Sequence, residues 1–160
     1  MSKKTILVVD DDEGLLKIYR EMLESEGYKV VTASTSKEAL NKAEKSRFNL
    51  AILDIVLPDV QGDELAREMK MLDEGIEIIF ITGYPEFQSC IDSLDIGVAD
   101  ILLKPLTREE ILRATENALV AGNEGTTSTH SPLSRMKAIL TGGFGSLFNN
   151  VQLDHLPSLK

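Results

Sequence analysis

The chain has 160 residues, the size of one domain with a remainder, and its 26 acidic and 17 basic side chains give a net charge of −9. Residues 1–120 hold 24 of the acidic and 14 of the basic side chains, which argues against nucleic-acid binding, because a phosphate backbone attracts clustered Lys and Arg. The single cysteine, Cys90, excludes an internal disulfide and a multi-cysteine zinc site. No apolar run is long enough for a membrane span or a signal peptide, so we expect a cytoplasmic protein with no membrane partner.

Five short apolar runs predict strands that are covered on both faces, because their apolar residues are consecutive and do not alternate. The runs are 6–9, 30–33, 50–53, 76–81 and 101–103. Between them, apolar residues recur at spacings of three and four, which predicts helices. These begin near Glu13, at the capping boxes of Thr35 and Thr107, after Gly62, and near Phe87. The alternation predicts an α/β domain over residues 1–121, built on one open parallel sheet with helices on both faces.

The composition changes after residue 121. Residues 122–131 are rich in Gly, Ser and Thr, which is typical of a flexible linker. Two interpretations of the tail, 132–160, stay open: a disordered extension, or short amphipathic helices that dock through Phe144, Leu147, Phe148 and Val151. Five glycines in about forty residues argue against a DNA-reading domain there.

Polar side chains follow four of the predicted strands. Asp10, Asp11 and Asp12 follow the first, Asp54 the third, Thr82 the fourth, and Lys104 with Pro105 the fifth. Because sites in open α/β sheets form at the carboxyl ends of the strands, we expect these side chains to lie together.

Such a group of carboxylates suits Mg²⁺, which prefers oxygen ligands and binds through one or two carboxylates. A carboxylate beside the ion can attack phosphorus and form an acyl phosphate. Lys104 and the metal would neutralise charge on the phosphoryl oxygens, and Thr82 would donate a hydrogen bond to them.

Four segments resemble the receiver domains of two-component response regulators. They are Ile-Leu-Val-Val-Asp-Asp-Asp at 6–12, Leu-Asp-Ile-Val-Leu-Pro-Asp-Val-Gln-Gly at 53–62, Ile-Thr-Gly-Tyr at 81–84 and Asp-Ile-Leu-Leu-Lys-Pro at 100–105. The similarity runs from residue 5 to about residue 120, in the family's order and spacing. It implies a flavodoxin-like (βα)₅ fold with the strand order 2-1-3-4-5.

The resemblance also implies a function in phosphorelay signal transduction. Asp54 would accept a phosphoryl group from a histidine kinase or a phosphotransfer protein in a Mg²⁺-dependent reaction. Asp10, Asp11 and Asp54 would hold the metal together with the backbone carbonyl of Val56. The phosphoprotein would then act on an unknown downstream protein, and a phosphorylation-dependent homodimer is one form that this output can take.

Further roles follow from the same resemblance. Thr82 would be the switch hydroxyl that turns toward the phosphoryl group, and Lys104 would be the ion-pair partner. The Lys104–Pro105 bond is expected to be cis.

One position departs from the family pattern, and two others lie where the family modulates hydrolysis of the phosphoryl group. Ile101 replaces the usual aromatic residue, so we expect weaker coupling between the site and the neighbouring helices. Val56 and Tyr84 flank the phosphoryl pocket without a group that orients water, which predicts slow self-dephosphorylation.

Two alternatives to a phosphoryl-accepting switch stay open. A phosphatase that forms an aspartyl phosphate would need a second carboxylate two residues after Asp54, where this chain has Val56. A degenerate receiver that acts only as a binding module would not need the full set of site residues. We therefore expect a switch that phosphorylates and dephosphorylates itself and is not an enzyme with a separate substrate.

Overall fold

A computed structural model describes residues 2–83 and 96–124. Its strands are β1 (Thr5–Val9), β2 (Lys29–Ala33), β3 (Leu50–Asp54), β4 (Glu77–Thr82) and β5 (Asp100–Leu103). Its helices are α1 (Glu13–Ser25), α2 (Ser36–Lys45), α3 (Gly62–Leu72) and α4 (Arg108–Glu124). The strands are parallel and ordered β2-β1-β3-β4-β5, which confirms the predicted fold. The helix predicted near Phe87 lies, as far as residue 95, outside the described residues. The whole tail, 132–160, also lies outside them.

The burial of each strand follows from its place in the sheet. The three central strands, β1, β3 and β4, are buried at every residue except the first of β1 and of β4. The two edge strands, β2 and β5, include partly exposed residues. A strand between two neighbours and two helical layers has no exposed face, which explains the consecutive apolar residues in the central runs.

Of the helices in residues 2–83 and 96–124, two lie on each face of the sheet. Leu16, Tyr19 and Leu23 of α1 join Ile111 and other residues of α4 in one cluster with alternate residues of the central strands. The helices α2 and α3 contact each other on the opposite face. No helix in the described part of the chain has the length and apolar character of a bilayer span.

Local hydrogen bonds fix the helix ends. The Asp12 carboxylate accepts a hydrogen bond from the amide of Leu15 and so caps α1. After α1 the chain turns at Gly27, whose φ of 90° favours glycine. At α4, the Thr107 hydroxyl accepts from the Glu110 amide while the Glu110 carboxylate accepts from the Thr107 amide, as in a capping box.

The last helix is longer than the composition predicts. A linker is expected from residue 122, but α4 continues to Glu124. Contacts with the sheet hold the additional turn: Gly122 packs against the Glu77 side chain, and the Asn123 side chain accepts a hydrogen bond of 3.0 Å from Lys4 Nζ. Residues 122–124 therefore belong to the helix.

Candidate functional site

The parallel sheet brings together the polar residues that end four neighbouring strands. Asp10 follows β1, Asp54 ends β3, Thr82 ends β4, and Lys104 follows β5. All of these strand ends lie at the same edge because the strands are parallel and adjacent in the order β1-β3-β4-β5. Four segments that are distant in sequence thus meet at one place.

Three carboxylates form a cluster at this edge. One ligand oxygen from each of Asp10, Asp11 and Asp54 lies within 4.8 Å of the others. Asp10 and Asp54 are buried, with 1% and 6% of their surface exposed, whereas Asp11 is exposed. This all-oxygen, negatively charged donor set with one side open to solvent fits Mg²⁺, which retains water ligands.

Lys104 joins the two buried carboxylates. Its Nζ lies 2.8 Å from Asp54 Oδ2 and 3.0 Å from Asp10 Oδ2. Partial burial by itself would lower the pKa of Lys104, but the hydrogen bonds to Asp54 and Asp10 outweigh burial and raise that pKa above its usual value. The site thus holds three carboxyl groups, two of which contact the one ammonium group, and a divalent cation would complement this set.

The remaining oxygens of Asp10 and Asp54 are held in the same way. Asp10 Oδ1 accepts a hydrogen bond from the amide of Asp12, at 2.9 Å, and Asp54 Oδ1 accepts from the amide of Val56, at 3.0 Å. Burial raises the pKa of Asp10, against the opposing effects of the Asp12 amide and of Lys104. Both side chains are therefore fixed by one backbone amide and one ammonium group.

Thr82 lies beside these groups but forms a different contact. Its side chain is fully buried, and its hydroxyl donates a hydrogen bond of 2.8 Å to the carbonyl oxygen of Gly83. Its own carbonyl accepts from the Lys104 amide at 2.8 Å, which ties β4 to the lysine. In this structure the hydroxyl is thus directed to the main chain and not to Asp54.

The other predicted site residues occupy the surroundings. The Val56 side chain is 41% exposed. Ile101 is 5% exposed and pairs with Phe80 across β4 and β5. The Lys104–Pro105 peptide bond is cis. Tyr84 lies outside the described residues.

Gly62 closes the family-like segment at 53–62, where its position predicts only a turn before a helix, but it also contacts the site. A Cβ atom on Gly62 would overlap the carbonyl oxygen of Asp54 and lie 2.8 Å from Cα of Ile55. The Gly62 amide also donates a hydrogen bond of 2.7 Å to the Ile55 carbonyl. The first turn of α3 therefore packs directly against the main chain that carries Asp54, which requires a residue without a side chain.

Asp59 belongs to the same segment, and its unpredicted role is to connect this loop to α2. Its Oδ1 accepts from the Ser36 amide at 3.0 Å, and its Oδ2 accepts from the Ser36 hydroxyl at 2.6 Å and the Lys37 amide at 3.0 Å. Desolvation opposes ionisation, but these hydrogen bonds hold the pKa of Asp59 well below its usual range. A cap that comes from 23 positions away leaves no local signal in the sequence.

Comparison with known proteins agrees with this geometry. Residues 6–116 match the family model described as the response regulator receiver domain. The chain belongs to this family. The receiver domain is also similar to a CheY-like receiver domain from Methanospirillum hungatei, with 37% identity and a TM-score of 0.75, covering 78% of this chain and all of that one.

Curated relatives include both short and long proteins. Sporulation initiation phosphotransferase F from Bacillus subtilis is 33% identical over 119 residues, which cover 74% of this chain and 96% of the relative. The transcriptional regulatory protein ZraR from Escherichia coli is 29% identical over 96% of this chain and 33% of the relative. The regulatory protein PhoP from Bacillus subtilis is 34% identical over 86% of this chain and 55% of the relative. The chain thus spans a third to about half the length of these two transcriptional regulators.

Proposed function

We propose that this receiver domain accepts a phosphoryl group on Asp54 from the phosphohistidine of a histidine kinase or phosphotransfer protein, in a Mg²⁺-dependent reaction. One observation carries the proposal. The Asp54 carboxylate is buried, is hydrogen-bonded to Lys104, and lies within 4.8 Å of the carboxylates of Asp10 and Asp11. The similarity to a protein named a phosphotransferase supports a relay as one use of the phosphoryl group.

The chemistry is a nucleophilic substitution at phosphorus. A carboxylate oxygen of Asp54 forms a bond to phosphorus while the bond from phosphorus to the imidazole nitrogen breaks, and the electron pair of that bond leaves with the imidazole. The product is an acyl phosphate on Asp54. Bound Mg²⁺, held by Asp10, Asp11, Asp54 and the Val56 carbonyl, would supply positive charge that reduces repulsion between the carboxylate and the phosphoryl oxygens.

Lys104 contributes a second positive charge. Its ammonium group already contacts the oxygen of Asp54 that is not bound to the Val56 amide, so it lies beside the reacting carboxylate before the transfer. Because its pKa is raised, Lys104 stays protonated across the physiological pH range and pairs with the phosphoryl oxygens as they acquire charge.

A change of hydrogen-bond partner at Thr82 would couple the transfer to the rest of the domain. To reach a phosphoryl oxygen, its hydroxyl must give up the hydrogen bond to Gly83. The buried Ile101 lacks an aromatic ring that could rotate into the vacated space, so we expect a weak response in the adjacent elements. Backbone chemical shifts around β4, β5 and α4 that stay unchanged on phosphorylation would contradict this response.

The phosphoryl group should be lost slowly. Val56 presents a half-exposed hydrocarbon side chain at the edge of the pocket and offers no group to orient an attacking water. The double variant Val56→Asn with Tyr84→Glu supplies such groups and should shorten the lifetime of the acyl phosphate. An unchanged decay rate would show that these positions do not control hydrolysis.

Intact mass spectrometry tests the proposal directly. The full chain is incubated with a small phosphodonor and Mg²⁺, and we expect one added phosphate in the wild type and none in Asp54→Asn. Asp12→Asn is the matched control, because Asp12 caps α1 and asparagine is an equally good cap. Phosphorylation should persist in the control and stop when a chelator removes Mg²⁺.

Other outcomes would point to other functions. A phosphate that persists in Asp54→Asn would exclude Asp54 as the acceptor. Turnover of an added phosphomonoester would favour the phosphatase alternative, and a wild type that accepts no phosphate from any donor would favour a binding module.

A further inference from the structure

The loop between β3 and α3, residues 55–61, carries the main-chain oxygen that the proposed function assigns to the metal, the carbonyl of Val56. The start of this loop is fixed by the sheet and by α3. The Ile55 amide donates a hydrogen bond of 3.1 Å to the Ile81 carbonyl, and the Ile55 carbonyl accepts one of 2.7 Å from the Gly62 amide. With Ile55 held in place, the direction of the Val56 carbonyl depends on where the residues after it lie.

Asp59 anchors this later part of the loop to the start of α2. Its carboxylate accepts three hydrogen bonds there, from the amide and the hydroxyl of Ser36 and from the amide of Lys37, at 2.6 to 3.0 Å. Hydrogen bonds to an ionised carboxylate are shorter and stronger than those between neutral groups. Ser36 is buried, so the loop is tied to a part of α2 that packs inside the domain.

Leu57 and Pro58, which connect the Val56 carbonyl to Asp59, form a stiff connection. The ring of Pro58 fixes its φ angle, and a residue that precedes proline, here Leu57, is restricted to extended conformations. The Leu57 side chain is also buried, which restricts it further. Two residues with so little conformational freedom transmit a displacement of Asp59 to the Val56 carbonyl and do not absorb it.

We infer that Asp59 is a positioning residue for the metal site: by holding the loop to α2, it orients the Val56 carbonyl and so strengthens Mg²⁺ binding. This inference rests on the proposed function, because it takes that carbonyl as a metal ligand. Both carboxylate oxygens of Asp59 accept hydrogen bonds from α2, so Asp59 acts on the metal through the loop. Groups that orient a metal ligand by direct contact change metal affinity by about 10–100-fold, and a smaller effect is expected through two intervening residues.

Calorimetric titration of the full chain with Mg²⁺, without a phosphodonor, tests this inference. Asp59→Ala should raise the dissociation constant for Mg²⁺ about three- to tenfold, because the loop loses its anchor on α2. Asp59→Asn should stay within about twofold of the wild type, since its amide oxygen is still an acceptor and asparagine caps a helix as well as aspartate does.

Thr35→Ala is the matched control for a weakened α2. The Thr35 hydroxyl caps the same helix end by accepting a hydrogen bond of 3.1 Å from the Glu38 amide, which lies within the first turn. Its loss weakens the helix and does not release the loop from Asp59. We therefore expect Thr35→Ala to lose stability in urea, as Asp59→Ala does, and to keep the Mg²⁺ affinity of the wild type.

Amide hydrogen exchange in the metal-free chain gives a second measurement that does not depend on Mg²⁺. The Val56 amide donates a hydrogen bond to Asp54 Oδ1, and the Gly62 amide donates one to the Ile55 carbonyl, so both amides are protected while the loop is ordered. Asp59→Ala should speed their exchange about threefold or more, because the loop opens more often. Thr35→Ala should speed it less.

The possible failures can be told apart. If the wild type binds Mg²⁺ and Asp59→Ala binds it equally well, the inference is overturned while the proposed function stands. If Thr35→Ala loses as much Mg²⁺ affinity as Asp59→Ala, the effect comes from the stability of α2, and a positioning role is refuted. Unchanged exchange of the Val56 amide in Asp59→Ala would refute the route through the loop. A wild type that binds no Mg²⁺ would overturn the proposed function and this inference with it.

Discussion

Replacing Gly62 with alanine should displace the main chain that carries Asp54. The added Cβ would overlap the Asp54 carbonyl oxygen and lie 2.8 Å from Ile55 Cα, whereas ordinary contact begins at 3.4 Å. Both neighbours are main-chain atoms of buried residues, so they cannot rotate away as a side chain would. Relieving the overlap requires a shift of roughly 1 Å, and overpacking of this kind costs about 1–3 kcal/mol of unfolding free energy. A displacement of about 1 Å at reacting groups lowers a rate on the order of 100-fold.

Two measurements check the effect of Gly62→Ala. Urea unfolding gives the loss of stability, and intact mass at fixed phosphodonor and Mg²⁺ gives the rate of phosphorylation. Gly75→Ala is the control, because its Cβ would meet only the carboxylate of Asp73, at 3.3 Å, in an exposed turn. We expect the control to keep both properties. If Gly62→Ala phosphorylates at the wild-type rate, then the contact between α3 and the Asp54 main chain does not position the acceptor.

Three further substitutions probe charges around the sheet. Asp59→Ala should lower the unfolding free energy by about 1–2 kcal/mol at neutral pH, since the Ser36 and Lys37 amides at the start of α2 lose their carboxylate acceptor. Because the folded pKa of Asp59 is lowered, its contribution is present above the unfolded pKa and is lost as the pH falls through the folded value, so urea unfolding in strong acid should show a smaller difference. Lys104→Met should lower the unfolding free energy by about 1–3 kcal/mol without Mg²⁺ and by less with Mg²⁺, because a bound cation compensates the unpaired carboxylates. Equal losses of unfolding free energy in the two conditions would contradict a metal at this place. Burial raises the pKa of Glu77, so its ionisation destabilises the fold as the pH rises through that pKa. Glu77→Gln should therefore stabilise the domain at neutral pH but not in acid. A loss of stability in Glu77→Gln at neutral pH would refute this reasoning.

Much of the fold could be predicted because its signals are local. Consecutive apolar residues mark the central strands. Gly27 marks the end of α1, and the capping box of Thr107 and Glu110 marks the start of α4, so each of these signals spans only a few residues. The position of the site follows from the same reasoning, since residues that follow parallel strands must lie at one edge. The strand order is different: no local pattern specifies which parallel strands are neighbours, and the prediction of that order came from the family resemblance.

The features that were missed depend on distances that only the folded chain defines. Gly62 is required because α3 passes over the Asp54 main chain, and Asp59 acts on a helix that begins 23 positions earlier. The continuation of α4 to Glu124 depends on contacts with Lys4 and Glu77. The direction of the Thr82 hydroxyl is a choice between two acceptors, and composition carries no information about it.

The hydrogen bonds of Lys104 have a consequence for synthesis of the chain on the ribosome. The lysine lies 94 positions after Asp10 and 50 after Asp54. A nascent chain that has emerged only as far as β4 holds both carboxylates without their ammonium partner, and they repel one another at the edge of an unfinished sheet. The carboxylate pocket is therefore completed only when β5 has left the exit tunnel and paired with β4. Under the proposed function, a partly synthesised chain should not yet accept a phosphoryl group.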